Sequence, residues 1–225
     1  MSVQTFSGNY CKTPILPQAK RLLLALEFIL VFVAIPSALF LKLVSLPIMS
    51  ILAAACLTAS ALLISDSQFE AANLINLKFE RKHLWKILRR FLLSVPLIIL
   101  LASVLIPQEL ISSLNQEFPV WIGGAVVYIL FSVLPQEIIF RAFFFHRYKD
   151  LFPGRWLLIL VSTASFAFIH IIYFNTVAIA LTIVGGYFFS KTYYETGSFL
   201  LTVIEHSLYG CFLFTIGLGA AFFMN

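Results

Sequence analysis

Charged residues are scarce in this sequence. Asp, Glu, Lys and Arg make up 11% of the 225 residues, whereas hydrophobic residues make up 61% and the mean hydropathy is +0.99. Soluble globular domains carry about 25% charged residues. The composition therefore excludes a soluble enzyme or binding module and predicts an integral membrane protein.

Cysteine is also rare, and its positions exclude a disulfide scaffold. The three residues Cys11, Cys56 and Cys211 are odd in number and widely separated, and two of them lie in apolar stretches. This spacing predicts neither a disulfide framework nor a thiolate metal site. The alternation of polar and apolar residues that marks an outer-membrane barrel is missing as well.

Long apolar runs are what the sequence has in abundance. Most of them approach the roughly 20 residues that a helix needs to cross a bilayer. We expect an all-α, polytopic transmembrane helical bundle of seven spans, or eight if the last run breaks at Gly210. The runs are Leu22–Leu41, Leu46–Ile64, Phe91–Ile106, Val120–Phe140, Trp156–Phe174, Thr176–Ser190 and Phe199–Phe223.

The distribution of Lys and Arg predicts the orientation. Basic residues precede the first run, and they lie between the second and third runs and between the fourth and fifth. The only charged residues in segment 107–119 are Glu109 and Glu117. Basic loops stay in the cytoplasm, so the N-terminus is predicted to be cytoplasmic. Lys42, at the outer end of the first run, is the exception, and a terminal Lys can extend to the interface.

Segment 78–90 is strongly basic. It places Leu84, Ile87 and Leu88 at helical spacing beneath a basic face, which fits a helix in the membrane interface or a charged loop that fixes orientation. The net charge of +5 is thus explained by topology and by contact with anionic lipid. Membrane lipids are predicted partners, and nucleic acid is not.

A few polar residues interrupt the apolar runs. An ionisable group at bilayer depth costs about 2.5–3.5 kcal/mol on insertion scales, so such residues usually face the interior of a bundle and mark function. A proton-transporting role is disfavoured because no inverted repeat is present. The polar set is Glu27, Gln136, Glu137, Arg141, His170, Asn175, Glu205 and His206.

Glu137 and Arg141 are four residues apart and therefore share one helix face, where they can form an ion pair. Gln136 points about 100° away from Glu137. His170 and His206 lie in two other runs. With Glu137 they can form either a general base with imidazole donors or a three-ligand zinc site with an open position, although a single buried His is more often a packing residue.

Three short motifs, in order, resemble those of the CAAX-processing and bacteriocin-processing (CPBP) membrane proteases, which include the type II CAAX prenyl endopeptidases. QEIIFR at 136–141 resembles the family's Glu-Glu-x-x-x-Arg, FAFIH at 166–170 its Phe-x-x-x-His, and HSLYG at 206–210 its His followed four residues later by Asn in many members. The resemblance covers roughly Trp121 to the C-terminus. It implies a helical bundle with a conical cavity open to the membrane.

The resemblance also implies an intramembrane endopeptidase that hydrolyses a peptide bond in a membrane-associated or prenylated substrate. In the family the first Glu activates water, while the motif histidines and the Asn hold the water and the oxyanion. This sequence differs from the family motifs at two positions. Gln136 replaces the first Glu, and Gly210 replaces the Asn. An amide oxygen is too weak a base to take a proton from water.

The expected catalytic residues are therefore Glu137, which activates water, and His170 and His206, which assist it. Glu205 is a second acid that can reach the cavity if its helix is rotated. Four residues have supporting roles by the resemblance: Gln136, Arg141, Phe166 and Gly210. No cofactor is expected, although zinc at Glu137, His170 and His206 is possible. The alternative, favoured by Gln136, is a catalytically inactive CPBP-like scaffold or substrate-binding protein.

We divide the chain into a cytoplasmic N-terminal segment (1–20), N-terminal transmembrane helices (21–119, with the basic interfacial segment 78–90) and a protease-like core (120–225), in the inner (cytoplasmic) membrane. At about 1.5 Å per residue, Glu137 lies roughly 6 Å, His206 about 12 Å and His170 about 21 Å from the cytoplasmic boundary. The three meet only if the fifth span begins late, with part of 156–162 along the interface.

Overall fold

The computed structural model describes residues 17–70, 74, 80–108 and 117–222. Within these ranges the long elements are seven helices, and no β-strand occurs, which confirms the all-α membrane bundle. The helices are α1 Gln18–Phe40, α2 Ile48–Ser65, α3 Arg81–Leu105, α4 Phe118–Tyr148, α5 Arg155–Tyr173, α6 Thr176–Thr196 and α7 Phe199–Thr215. A short 3-10 turn at Leu218–Phe222 follows α7.

The seven helices correspond one to one with the seven apolar runs. In the described part of the chain, α1 to α5 are long and apolar enough to cross a membrane, while α7 is apolar but shorter. The break at Gly210 that would give an eighth span is not observed, because α7 continues through Gly210 to Thr215. The chain turns at Gly217 instead, where φ is +84° and a glycine is favoured.

α3 joins the basic segment to the third apolar run. One helix extends from Arg81 to Leu105, so residues 81–90 of the basic segment are helical and continuous with the span. Lys78 and Phe79, and most of the N-terminal segment 1–20, lie outside the described residues. The interfacial position of the basic end and the three-part division of the chain remain predictions.

α4 is longer than predicted and is locally widened. Its backbone is α-helical to Tyr128 and forms π turns at Ile129–Val133 and Ile138–Phe143, on either side of the α turn Leu134–Glu137. Pro135 has no N–H to donate, and a π turn is one way for a helix to pass such a residue without breaking. The helix therefore continues to Tyr148, eight residues beyond the predicted end.

This length changes the depth of Glu137. Counted at about 1.5 Å per residue, Glu137 lies roughly 16 Å from the end of α4 at Tyr148, closer to the depth of His170 than the sequence indicated. The late start proposed for the fifth span is not observed. α5 is helical from Arg155 onward, and Leu158, Ile159 and Ser162 are buried in the bundle.

The interior of the bundle is largely aromatic. α5 and α6 pack along each other, and α4 and α7 lie against them. Phe32 of α1 packs edge-on against Phe140 and Phe144 of α4. By contrast, α1 to α3 expose large apolar side chains, such as Leu23 at 62% and Leu93 at 74%. Outward-facing apolar surface of this extent fits a lipid environment, and the chain is a multi-pass membrane protein.

Two residues of the polar set have structural roles. The Glu27 carboxylate accepts hydrogen bonds from Nε and Nη2 of Arg147 at 3.0 and 2.7 Å and from the Tyr148 hydroxyl at 2.9 Å, which ties α1 to the end of α4. The Asn175 side chain accepts from the backbone N–H groups of Val177 and Ala178 and caps α6.

Ion pairs collect at one end of the bundle. Glu195, at the end of α6, accepts from Lys86 of α3 at 2.5 Å and from Arg155 of α5 at 2.7 Å. At the same end, Oδ2 of Asp66, just after α2, is hydrogen-bonded to Nε2 of His146 near the end of α4, at 2.9 Å. The basic loops predict that these helix ends are cytoplasmic, and the contacts place the ends on the same side of the bundle. The absolute orientation stays a prediction.

Candidate active site

A carboxylate and an imidazole from distant parts of the chain meet inside the bundle. Nδ1 of His206, on α7, lies 2.9 Å from Oε1 of Glu137, on α4. Glu137 is fully buried and His206 is nearly so. Because α7 packs against the α turn that carries Glu137, the contact joins the first and third motifs.

Arg141 holds the other side of the Glu137 carboxylate. Its Nε lies 3.5 Å from Oε2 of Glu137, so the pairing expected from the four-residue spacing is present. The guanidinium is fully buried and also faces the rings of Phe166 and Phe189, at 4.9 and 5.7 Å from their centroids. Aromatic faces attract a cation and partly replace its hydration.

Phe166 connects the two histidines. Its ring centroid lies 4.8 Å from that of His170 and 5.7 Å from that of His206. His170 begins the 3-10 turn at the end of α5, where its Nδ1 donates to the carbonyl oxygen of Phe166 at 2.6 Å. Phe166 therefore packs against both histidines of the predicted set, and His206 in turn contacts Glu137.

The hydrogen bonds define which ring nitrogens are available. A carboxylate paired with Arg141 and a backbone carbonyl both act as acceptors, so Nδ1 carries the proton in both His206 and His170. In the neutral form of each ring, the lone pair is then at Nε2. Phe189 stacks on the His206 ring at 4.6 Å and limits its rotation.

Several buried polar atoms of α4 and α7 lack hydrogen-bond partners within the described ranges: Oε2 of Glu137, Nε and Nη2 of Arg141, Oε1 of Gln136, Oε2 of Glu205 and Oγ of Ser207. Buried polar groups in folded proteins are almost always hydrogen-bonded. Such a concentration is typical of a site that takes a polar ligand.

Residues 118–212 match the family model described as type II CAAX prenyl endopeptidase Rce1-like. This region is similar to the Rce1-like endopeptidases. The match includes Glu137, His170 and His206 and confirms the resemblance to CPBP proteases over this range. No curated protein and no solved structure matches the chain.

Within the Rce1-like region, Gln136 takes no part in the contact between the acid and the imidazole. Its Nε2 donates to the Ser132 hydroxyl, one helical turn earlier, at 2.8 Å. The half-buried amide forms no hydrogen bond with His170 or His206 in the described structure. The carboxylate of Glu137 is therefore the one that contacts a motif histidine.

Gly210, where many family members have Asn, has no room for a side chain. A Cβ at this position would collide with the ring and hydroxyl of Tyr128. Tyr128 also packs edge-on against His206, with centroids 6.4 Å apart. Tyr128 was not predicted as a site residue, because a tyrosine in an apolar run is normally a packing residue.

Glu205 pairs with a residue that the sequence assigned only to topology. Its Oε1 accepts from Nη1 of Arg90, on α3, at 2.7 Å, and Glu205 is fully buried. Arg90 also covers the Phe188 ring, 4.8 Å from its centroid. The alternative acid is thus held by α3, and the basic segment contributes a side chain to the interior of the bundle.

The possible zinc site would use Glu137, His170 and His206. Among the residues that the structure describes, no three His, Cys, Asp or Glu side chains form a group that could hold a metal ion. His206 turns Nδ1 to Glu137, and His170 turns Nδ1 to a backbone carbonyl. Glu137, His170 and His206 do not form such a group in this part of the chain, and zinc at these residues stays a prediction.

Proposed function

We propose that the chain is an intramembrane endopeptidase in which His206 is the general base and Glu137 orients it. The observation that carries the proposal is the hydrogen bond from Nδ1 of His206 to the buried carboxylate of Glu137. A carboxylate in this position fixes the tautomer and stabilises the imidazolium that forms when Nε2 takes a proton. This arrangement gives the site a base without an acid at position 136.

The reaction begins with a water molecule hydrogen-bonded to Nε2 of His206. Nε2 takes a proton as the water oxygen attacks the carbonyl carbon, and the carbonyl π electrons move onto its oxygen. When this tetrahedral intermediate collapses, the imidazolium returns the proton to the amide nitrogen as the C–N bond breaks. The products are a carboxylic acid and an amine, and His206 is neutral again.

Arg141 and His170 assist in different ways. Arg141 keeps the Glu137 carboxylate ionised and therefore able to accept from His206 throughout the reaction. His170, whose ring also packs against Phe166, offers the lone pair of Nε2 to the water or to the substrate amide. Phe166 and Phe189 exclude bulk water from the charged groups.

The substrate class follows from the surroundings of the site and from the similarity to Rce1-like endopeptidases. The histidines and Glu137 lie within an aromatic bundle, so a substrate has to approach through apolar surface. A peptide that carries a prenyl group or a transmembrane segment meets this condition. We propose a membrane-associated or lipidated protein as the substrate.

The test uses purified protein in lipid nanodiscs and a panel of prenylated CAAX peptides and transmembrane peptides. Mass spectrometry of the products identifies new peptide termini. We expect cleavage by the natural sequence and at least a 100-fold slower reaction with His206→Ala, the usual scale for loss of a general base. The control is His83→Ala, which removes a partly exposed histidine on α3. Equal cleavage by all three proteins would contradict the proposal.

Gln136 favours a second candidate, a catalytically inactive membrane scaffold or substrate-binding protein. Its amide stands where the family has its first Glu and donates to Ser132, so this side chain cannot activate water. On this alternative, Glu137, Arg141 and His206 are a structural cluster. Binding of the same peptides without any cleavage, unchanged by His206→Ala, would support the scaffold.

A further inference from the structure

Tyr128 occupies the space that a side chain at position 210 would take. Its hydroxyl oxygen and the neighbouring ring carbons lie where the Cβ of any larger residue at 210 would be, so only glycine admits the ring in this position. Gly210 follows His206 by four residues on α7 and therefore lies on the same helix face. The Tyr128 hydroxyl consequently lies against the helix face that carries His206.

Two rings fix the orientation of Tyr128. Its centroid lies 6.4 Å from that of His206 with an interplanar angle of 80°, and 4.9 Å from that of Phe214 with an angle of 66°. Tyr128 is also the last residue of α4 before the first π turn. The phenol is thereby held between the backbone of α7 and the general base.

Three other neutral donors near the site are already engaged. Thr202 donates to the carbonyl oxygen of Phe199 at 2.7 Å, Ser162 to that of Phe140 at 3.0 Å, and the Gln136 amide to Ser132 at 2.8 Å. The Tyr128 hydroxyl, by contrast, has no acceptor in the described part of the chain. A phenol O–H in an apolar setting is a strong donor with a free proton to share.

We propose that Tyr128 is a catalytic residue that donates a hydrogen bond to the carbonyl oxygen of the substrate as that oxygen becomes negatively charged. The phenol keeps its proton throughout, so the proton transfers through His206 are unchanged. A donor aimed at the developing oxyanion lowers the barrier more than it strengthens ground-state binding. This inference rests on the proposed function, since an oxyanion forms only if the chain hydrolyses a peptide bond.

The first test is Tyr128→Phe, which removes the hydroxyl and keeps the ring between His206 and Phe214. We expect kcat for a cleaved peptide to fall about 100-fold with little change in KM, the scale for one oxyanion donor. The matched control is Tyr187→Phe, which removes a hydroxyl from a half-buried tyrosine of α6 that packs against Phe188. The control should keep the natural rate.

The second test moves the hydroxyl without removing it. Gly210→Ala places a methyl group in the space of the phenol and should lower kcat about as much as Tyr128→Phe. Gly123→Ala is its control, since a Cβ at Gly123 of α4 meets nothing within 4 Å. In Tyr128→Phe/Gly210→Ala the two effects should not add, because both changes act on the same hydroxyl.

The outcomes separate this inference from the proposed function. Cleavage by the natural sequence with an undiminished kcat in folded Tyr128→Phe would overturn the role of Tyr128 and leave the protease intact. Additive effects in the double variant would also overturn it. Absence of cleavage by the natural sequence would overturn the proposed function and this role together. Size-exclusion profiles and melting temperatures establish that each variant is folded.

Discussion

Nδ1 of His206 lies 2.9 Å from Oε1 of Glu137, while Oε2 of the same carboxylate faces Arg141 at 3.5 Å. Glu137 therefore links a base candidate and a buried cation. One oxygen orients the imidazole and the other compensates the charge of Arg141. The sequence alone did not distinguish these two roles. Variants of Glu137 and Arg141 can distinguish these roles.

Glu137→Gln should leave Arg141 without its counterion and remove the charge that supports the imidazolium. We expect a loss of stability of about 3–5 kcal/mol, the usual cost of breaking a buried pair, and at least a 100-fold slower cleavage. Unfolding in detergent micelles and peptide cleavage provide the two measurements.

The control removes both charges. Glu137→Gln/Arg141→Met has no unpaired cation, so its stability should recover toward that of the natural sequence while cleavage stays slow. If the double variant recovered both stability and cleavage, the carboxylate would be only a partner of Arg141, and its role in orienting His206 would be disproved.

The sequence predicted the local features of this site well. Apolar runs of about 20 residues indicate helices irrespective of tertiary contacts, and each run corresponds to a helix in the structure. The pairing of Glu137 with Arg141 also follows from helical periodicity alone. Features that depend on one helix and its own residues were therefore accessible.

The contacts between helices were not accessible in the same way. The bond between Glu137 and His206 joins residues 69 positions apart, and the pairing of Arg90 with Glu205 joins residues 115 apart. Helical periodicity assigns a residue to a face but does not identify the helix that packs there. The end of α4 was also misplaced, because Arg141 resembled the charged boundary of a span, although its charge is buried against Glu137 and two aromatic rings.

Gln136→Glu restores the acidic pair of the family motif. The Ser132 hydroxyl, which now accepts from the Gln136 amide, can reverse its role and donate to a carboxylate. We expect cleavage to be supported or raised, and to be abolished when His170→Ala or His206→Ala is added. Gln136→Met, which keeps the length and removes the polar atoms, is the control. Slower cleavage by Gln136→Glu than by Gln136→Met would contradict the prediction.

The predicted topology can be tested with single cysteines in a chain whose three native cysteines are replaced. Labels that cannot cross the membrane should reach Arg89→Cys and Lys149→Cys only from the cytoplasmic side, and Asn115→Cys only from outside, because basic loops are retained in the cytoplasm. Position 115 lies outside the described residues. Cytoplasmic labelling at Asn115→Cys would show that the assignment of the spans is wrong.

Metal analysis of purified protein tests the hydrogen-bonded arrangement of Glu137 and His206. A base oriented by a carboxylate does not require zinc, so we expect substoichiometric zinc and cleavage that resists chelators. The analysis should cover the natural sequence and His206→Ala side by side. Stoichiometric zinc that disappears in His206→Ala together with activity would instead assign Glu137, His170 and His206 as metal ligands.

Arg90 and Glu205 should contribute to stability unequally. The Glu205 side chain is fully buried, whereas that of Arg90 is 17% exposed and lies in the basic half of α3. Arg90→Met leaves a buried carboxylate without its partner and should cost about 3–5 kcal/mol. Glu205→Gln leaves a long cation that can extend toward the membrane surface, so it should cost less.

The comparison is completed by two further variants measured in the same detergent by thermal unfolding. Arg90→Met/Glu205→Gln should be more stable than Arg90→Met alone, because no buried charge remains. Lys86→Met breaks the neighbouring pair with Glu195, whose side chains are 43% and 22% exposed, and should cost at most about 1 kcal/mol. Arg90→Met that is no less stable than Lys86→Met would show that α3 is not held to α7 by this ion pair.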